Sequence, residues 1–405
     1  MKILVLNAGS SSQKSCLYEI TGKTLPETSP QPMWEAAIDW TVNNDYGLMK
    51  IAANGVEKEV KLDSEKRQEA MAKMLESLTQ GKTQVIEKLS DINVVGHRVV
   101  HGGSDYSEAT LITEAVKTTI KNLIPLAPAH NPSHLEGIEA IEKVLGDVPQ
   151  IAVFDTAFHN KMPKEAAVYP IPYEWFERGI RRYGFHGTSH KYCAEKTAKI
   201  LGKSLASLRI ITCHLGNGAS LAAVKNGMSI NTTMGFTPLA GLMMGNRSGS
   251  IDPAILIYLI QEHNLDAEKL NQMLNKESGL KGIFGKSGDM RQVINAMNEG
   301  NEQAELAFKM FIHRLRCCIG EMVATLGGLD ALVFTAGIGE HSAIVREKTC
   351  ADLEFLGLKI DKEKNAKSAM NTDISVPDAK VRVLVVHTEE DWAIACECWQ
   401  KMSQA

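Results

Sequence analysis

Three times along this 405-residue chain, an apolar run ends in a turn of small residues. Residues 2–6 lead into Asn7-Ala8-Gly9-Ser10-Ser11-Ser12, and residues 209–213 into His214-Leu215-Gly216-Asn217-Gly218-Ala219-Ser220. Residues 329–334 lead into Thr335-Ala336-Gly337-Ile338-Gly339-Glu340. The runs read as buried strands. Glycine lets a backbone approach a ligand closely, and consecutive N–H groups form a nest for an anion. One such turn is no more than a tight turn. Three, each with hydroxyl, amide or acidic side chains, point to a phosphate site in a fold built on buried strands. Lys14 can offer that site a point charge.

Residues 92–100, Gln150–Phe154 and residues 381–386 also read as strands. Asn54-Gly55 reads as a hairpin turn, because both positions favour φ > 0. Asp63 is expected to cap a helix running to about residue 78. Further helices are expected over residues 191–201, before Gly202, over 253–263, and over Glu302–Leu326. In the last, Ala307, Phe311, Leu315, Ile319, Met322 and Leu326 follow helical spacing and Gly327-Gly328 ends the pattern. Strands interleaved with helices indicate α/β architecture.

Composition removes several classes. Lys plus Arg number 44 and Asp plus Glu 48, a net charge of −4, which argues against a protein that coats nucleic acid. The 44% hydrophobic content excludes wholesale disorder. Residues 3–6 are too short for a secretory apolar core, and no run reaches the roughly 18 apolar residues of a membrane span. A cytoplasm that keeps thiols reduced is the expected setting. Cys317-Cys318 and Cys396-x-Cys398 lack the second pair of a zinc site.

The familiar nucleotide loops are missing. Gly-Lys-Thr or Gly-Lys-Ser begins at Gly22, Gly81, Gly202 and Gly285, but none has a glycine five positions earlier, so there is no Walker loop. Gly216-x-Gly218 is followed by Leu221, which breaks the dinucleotide fingerprint. Three H-x₃-H pairs, His97/His101, His130/His134 and His186/His190, have helical metal-site spacing. The first lies in or after a strand, and Pro132 and Gly187 are expected to interrupt the others. Arg98, at a strand end, and Arg247, in a glycine-flanked loop, suit carboxylate or phosphate recognition. Asp155 and Glu389-Glu390-Asp391 follow apolar strands, a usual place for functional acids.

Six blocks, in order, resemble those of acetate kinases. They are Asn7-Ala8-Gly9-Ser10-Ser11-Ser12-x-Lys14; Gly96-His97-Arg98-Val99-Val100-His101-Gly102-Gly103; Arg182-Tyr183-Gly184-Phe185-His186-Gly187-Thr188-Ser189-His190; His214 to Ser220; Met234-Gly235-Phe236-Thr237-Pro238-Leu239; and Phe334 to Glu340. The Ser-Ser-Ser-Gln-Lys form of the first resembles the cyanobacterial branch. The resemblance implies an α/β, two-domain actin-like ATPase fold, a duplicated ribonuclease H-like unit around an interdomain cleft. Residues 1–154 with 388–405 would form the acceptor-side domain, and residues 155–387 the nucleotide-binding and dimerisation domain. The implied activity is reversible transfer of the ATP γ-phosphoryl group to acetate, giving acetyl phosphate and ADP. A homodimer is implied, as is Mg²⁺ or Mn²⁺ in its place, and no nucleic-acid or membrane partner.

The resemblance also implies residue roles. Asn7 and Glu390 hold the metal. Ser10, Ser12, Lys14, His214-Leu215-Gly216-Asn217-Gly218 and Gly337-Ile338-Gly339-Glu340-His341 bind ATP, with Asp289-Met290-Arg291 on the adenosine side. Arg98 pairs with the acetate carboxylate, and Asp155 is the catalytic acid/base residue. His186 and Arg247 stabilise the transition state. Val100, Phe185 and Pro238 form the methyl pocket, together with Ala129 where leucine is usual. Ala240, Asn246, Ser250 and Glu389 also depart from the common pattern. Acetate is already an anion, so Asp155 is expected to position groups rather than remove a proton. The alternatives are a propionate or other short-chain carboxylate kinase and, more distantly, a nucleotide-dependent binding protein of the actin or chaperone type.

Overall fold

The computed structural model describes residues 1–9, 12–40, 46–63, 67–128 and 130–404. They divide into two compact units, Met1–Ala157 with Glu389–Ala405, and Phe158–Thr388.

The first unit is built on eight strands: β1 (Lys2–Ala8), β2 (Ser12–Glu19), β3 (Trp34–Asp39), β4 (Tyr46–Ala53), β5 (Val56–Asp63), β6 (Val94–Val99), β7 (Thr110–Leu111) and β8 (Gln150–Phe154). Their order is β5-β4-β3-β2-β1-β6-β8-β7. β1, β6 and β8 run parallel; β1 through β5 pair antiparallel in succession. The β4–β5 turn forms at Asn54-Gly55 with φ of 54° and 73°, the left-handed values that dipeptide favours. β3 buries Trp34, Ala36 and Ile38 and exposes the residues between, so one sheet face is core. That core also takes Met74, Leu75 and Leu78 of the helix Arg67–Thr79. Asp63 belongs to β5, whose ladder continues through it to Tyr46, and the segment where it was expected to cap the helix, residues 64–66, lies outside the described residues.

The helix Glu390–Gln404 packs on β1 and β6. A Cβ on Gly96 would lie 2.5 Å from Cys398 Sγ and 2.8 Å from Ile394 Cγ2, so only glycine admits the helix this close. The carboxyl ends of β1, β6 and β8 thereby present Asn7, Arg98 and Asp155, at the edge where α/β sheets bind ligands.

The second unit holds β9 (Arg209–Leu215), β10 (Ala219–Lys225), β11 (Met228–Thr232), β12 (Ala331–Thr335), β13 (Thr372–Asp373) and β14 (Arg382–Val385). Their order is β11-β10-β9-β12-β14-β13. Strand for strand, β11-β10-β9-β12-β14 repeats the order and sense of β3-β2-β1-β6-β8. The first two strand-turn repeats are therefore equivalent, being the hairpins after β1 and β9. The third follows β12, the counterpart of β6.

Several local expectations change. The third turn is a short helix, Ala336–His341, entered through Ala336 at φ 62°. The helix expected over 191–201 begins earlier, at Gly187, because His186 takes a left-handed φ of 59° and starts it. Pro132 lies in the first turn of the helix Asn131–Leu145, where its missing N–H is harmless. It does not separate His130 from His134, whose rings are 6.4 Å apart. The helix Glu302–Leu326 has the expected bounds, and Gly327 ends it at φ 70°. Among the described residues no helix is long and apolar enough to cross a membrane.

Candidate active site

In the first unit, Arg98 meets Asp155 because β6 and β8 pair in register up to Val99 and Phe154. Arg98 Nε donates to Asp155 Oδ1 at 2.9 Å and Nη2 to Oδ2 at 2.7 Å, a bidentate fork. Nη1 donates to Asn7 Oδ1 at 3.2 Å and lies 3.9 Å from Glu390 Oε2. Burial opposes the Arg98 charge, but Asp155 and Glu390 outweigh it and hold the guanidinium protonated. Asn7 Nδ2 donates to Asp391 Oδ1 at 2.7 Å, which fixes the amide with its oxygen towards Arg98. Burial raises the pKa of Asp391, against the Asn7 hydrogen bond. Lys14 sits opposite Asn7 in the β1–β2 ladder. Val100 is buried beyond β6; its N–H donates to His134 Nδ1 at 3.3 Å, and His134 Nε2 donates to the Ala8 carbonyl at 3.0 Å. One neutral imidazole thus ties the ends of β1 and β6. Burial lowers its pKa to about 4.

In the second unit, His186 follows the buried Phe185 and stacks on His214, with centroids 4.1 Å apart and planes at 20°. Arg247 Nη1 donates to the Pro238 carbonyl at 3.1 Å, and burial lowers its pKa. A Cβ on Gly218 would lie 3.4 Å from Arg247 Nη1 and 3.6 Å from His186 Nε2. Both side chains therefore converge on a spot kept open by a glycine. The Asn217 carbonyl accepts from Gly245 N–H at 3.0 Å, and its side chain packs on Gly245. The same face of Gly245 meets the Gly288 backbone, next to Asp289. Asp289 caps the helix Met290–Asn298 and is forked by Arg291, whose hydrogen bond lowers its pKa. Met290 is buried.

One expected contributor, and one position that departs from the common pattern, look different in space. The Glu340 carboxylate is buried and engaged inward, accepting from Ala336 N–H at 2.8 Å and Thr388 N–H at 3.2 Å, with His387 Nδ1 at 2.7 Å. It holds the left-handed entry to Gly337-Ile338-Gly339. Ser250, where the common residue is Asp, accepts from Gly241 N–H at 2.8 Å and closes the loop that carries Arg247. Ser12 begins β2 and its carbonyl accepts from Gly9 N–H at 2.7 Å. Ser10 and Ala129 lie outside the described residues. The structure gathers Asn7, Lys14, Val100, Arg98, Asp155 and Glu390 in the first unit. Phe185, His186, His214 to Gly218, Pro238, Arg247, Asp289 to Arg291 and Gly337 to His341 belong to the second.

The model of the acetokinase family matches residues 2–396. The chain belongs to the acetokinase family. It is 66% identical over 398 residues to an acetate kinase of Rippkaea orientalis, covering 98% of each chain. It is 62% identical over 401 residues to an acetate kinase of Synechocystis sp., with 98% of this chain and 97% of that one covered. Among solved structures, it is similar to Porphyromonas gingivalis acetate kinase at TM-score 0.89 and 39% identity, with 99% of each chain covered. It is equally similar to a propionate kinase from Francisella tularensis, at TM-score 0.89 and 40% identity over 98% of each chain. These neighbours have the actin-like ATPase fold expected from the sequence.

The acetokinase frame also contains Ser220, which sequence reading did not single out, and gives Asp391, His134 and His190 contacts that it did not assign to them. Asp391 orients Asn7, His134 ties two strand ends, and Ser220 and His190 lie behind His186. Ser220 and His190 stand inside the motif blocks, and Asp391 stands next to Glu390, beyond the last of them. Hydroxyl and imidazole side chains alternating across adjacent strands and a helix start were the available signal. Burial raises the thiols of Cys16 and Cys213, so they are packed sulfurs. Among the described residues no cysteine is in a disulfide.

Proposed function

We infer that this acetokinase transfers the γ-phosphoryl group of ATP to acetate, reversibly, giving acetyl phosphate and ADP. The observation that carries the reading is the Arg98 guanidinium, fixed in its plane by Asp155 on its Nε/Nη2 edge. Its other edge, Nη1 and Nη2, is the one suited to a second carboxylate. Asp155 in this reading orients Arg98 and is not required to take a proton, because acetate arrives ionised. Phosphoryl transfer asks for in-line positioning and charge neutralisation. Arg247 and His186, converging on Gly218, are the donors for charge developing on the transferred group. In the second unit the turns His214 to Gly218 and Gly337 to His341 supply phosphate contacts and Asp289 to Arg291 the adenosine side; in the first unit Ser12 and Lys14 are the groups suited to phosphate.

Asn7 Oδ1 and the Glu390 carboxylate suit a divalent cation. Both are hard oxygen donors, and the Asp391 bond fixes the amide so that its oxygen, not its nitrogen, is the available ligand. Among the described residues no three His, Cys, Asp or Glu side chains cluster as a cage. That suits Mg²⁺, which keeps waters and phosphate oxygens and needs few protein ligands. When bound, it neutralises polyphosphate charge.

A homodimer is supported by the helix Ala254–His263, which buries no residue. Ile255, Ile257, Tyr258 and Ile260 are 44–57% exposed, an apolar surface that a second copy would cover. A cytoplasmic setting is supported by eight cysteines without a disulfide. Propionate is the second acceptor favoured by an observation, Ala129 in place of a bulkier residue. One methylene is worth about 1–3 kcal/mol of discrimination. The decisive experiment traps acyl phosphate as hydroxamate from ATP, Mg²⁺ and either acid. Comparable kcat/KM for acetate and propionate is expected; ATP hydrolysis indifferent to both acids would refute the kinase reading.

A further inference from the structure

Behind His186, three side chains form a hydrogen-bonded line into the second unit. His186 Nδ1 lies 2.8 Å from Ser220 Oγ, and Ser220 Oγ lies 2.8 Å from His190 Nε2. His190 Nδ1 lies 2.7 Å from Thr212 Oγ1. Ser220, His190 and Thr212 are each fully buried. The elements that meet here are β9, which carries Thr212 and His214, β10, which carries Ser220, and the helix Gly187–Leu201, which carries His190.

The proton inventory is restrictive. A serine hydroxyl has one proton to donate and can accept. Ser220 stands between two ring nitrogens, so it donates to one and accepts from the other. His190 is neutral, because burial drives its pKa well below the usual histidine value and His159 and His214 add to that shift. Two arrangements satisfy all three of these bonds. In one, Thr212 donates to His190 Nδ1, His190 Nε2–H donates to Ser220, and Ser220 donates to His186 Nδ1. His186 is then neutral, with its proton on Nε2, the nitrogen nearest Gly218. In the other, every bond reverses, and His186 Nδ1–H donates to Ser220. Neutral His186 would then present a bare Nε2, whereas the imidazolium would present Nε2–H with a full charge. Both arrangements that can donate to a phosphoryl oxygen are thus defined through Ser220. The ionisable groups facing His186 are His214, stacked on it, His190 at a centroid distance of 6.4 Å, and Arg247 by way of Gly218.

We propose that Ser220, backed by His190 and Thr212, is a positioning residue that fixes the ring orientation and proton placement of His186, so that Nε2–H faces the transferring phosphoryl group. The proposal rests on the reading of His186 as a donor to that group. It adds a three-residue relay that acts only through His186. A hydrogen-bonded partner that sets an imidazole's tautomer contributes strongly to catalysis without touching substrate.

The test is a double-mutant cycle on kcat in the full-length protein, with Ser220→Ala, His186→Ala and the pair. Ser220→Ala is expected to lower kcat about 10- to 100-fold, with KM for ATP and acetate changed less than about twofold. In the His186→Ala background the same change is expected to do nothing further. Thr212→Val, a β-branched isostere at the far end of the line, is expected to lower kcat in the same non-additive way with circular dichroism unchanged. It keeps the test available if Ser220→Ala misfolds. An equal kcat loss from Ser220→Ala with and without His186 overturns the relay alone, as does wild-type kcat in folded Ser220→Ala or Thr212→Val. Wild-type kcat in His186→Ala would remove the underlying site reading and the relay with it.

Discussion

Gly218→Ala separates fold from chemistry. The added methyl carbon would sit 3.4 Å from Arg247 Nη1 and 3.6 Å from His186 Nε2, both ordinary contact distances. Gly218 is not among the glycines at positive φ, so alanine is not strained there. The folded state should accept the change, with a melting temperature within about 2 °C of the parent, since strain-free surface changes stay within roughly 0.5 kcal/mol. A phosphoryl oxygen accepting from the same two nitrogens would keep about 2.8 Å from each. The methyl group is only about 0.6–0.8 Å farther out, so oxygen and methyl compete for one place. A hydrogen bond to a charged group is worth about 1.5–3 kcal/mol. Losing one corresponds to a fall in kcat of about 10- to 150-fold, and losing both to as much as about 10⁴-fold. Hydroxamate trapping from ATP, Mg²⁺ and acetate reads kcat, and differential scanning calorimetry reads stability. A variant with parental melting and near-parental kcat would refute the convergence of His186 and Arg247 on the transferred group.

Three further outcomes are expected. Arg98→Ala should raise the KM for acetate more than it lowers kcat, while Arg247→Ala should lower kcat most; steady-state kinetics on both would show near-normal values if the assignment is wrong. Gly96→Ala should destabilise the first unit by about 1–3 kcal/mol, because its Cβ would meet Cys398 Sγ at 2.5 Å. Urea unfolding checks it, and an unchanged midpoint would contradict the close packing of the C-terminal helix. Burial lowers His97, His101 and His134 to about 4 from 6.5. Their folded pKa lies below the unfolded one, so the stability they contribute is full above about pH 6.5 and falls as pH drops towards 4. Between pH 7 and 5 the loss should be about 2 kcal/mol for each histidine; a pH series of urea midpoints that stays flat there would refute their neutral burial.

The strands were legible because apolar runs of five to seven residues bounded by small-residue turns have few other readings. The Asn54-Gly55 hairpin and the helix Glu302–Leu326 were legible for similar local reasons: a dipeptide with a φ preference, and a long 3.6-residue pattern with a glycine stop. Failures occurred where tertiary context decides. His186 starts its helix from a left-handed conformation that is uncommon for any residue but glycine, and its ring is held there by Ser220 and His214. Ala336 does the same before its short helix, with the Glu340 carboxylate accepting its N–H. Non-glycine residues at positive φ persist where surroundings over-determine them, and such places gather at functional sites. The motif blocks named Asn7, Arg98 and Asp155 but not their mutual bonds, because register between β1, β6 and β8 comes from residues more than fifty positions apart. The bonds of Asp391 to Asn7 and of His134 to the ends of β1 and β6 were out of reach for the same reason.

A net charge of −4 says little about how the chain meets anions; the partners of four cations say more. Arg98 is forked by Asp155, and Arg291 by Asp289. Lys14 stands opposite Asn7, and its charge works against the rise that burial imposes on the Asp391 pKa. The two arginine charges are already offset by carboxylates, which fixes their geometry and weakens their pull on a further anion. Arg247 differs. It is half-buried, its pKa is lowered by burial, and its described partner is the neutral Pro238 carbonyl. Among the described residues no ion pair is recorded for it. A half-buried cation without a counter-ion raises the energy of the free protein, and the penalty lessens when negative charge arrives beside it. Such a group favours the state with the most charge near Gly218, which for phosphoryl transfer is the transition state. Arg98, held by Asp155, is suited instead to orienting a carboxylate that carries the same charge before and during reaction. The difference in pairing is the physical reason to expect Arg247 to act on kcat and Arg98 on acetate binding.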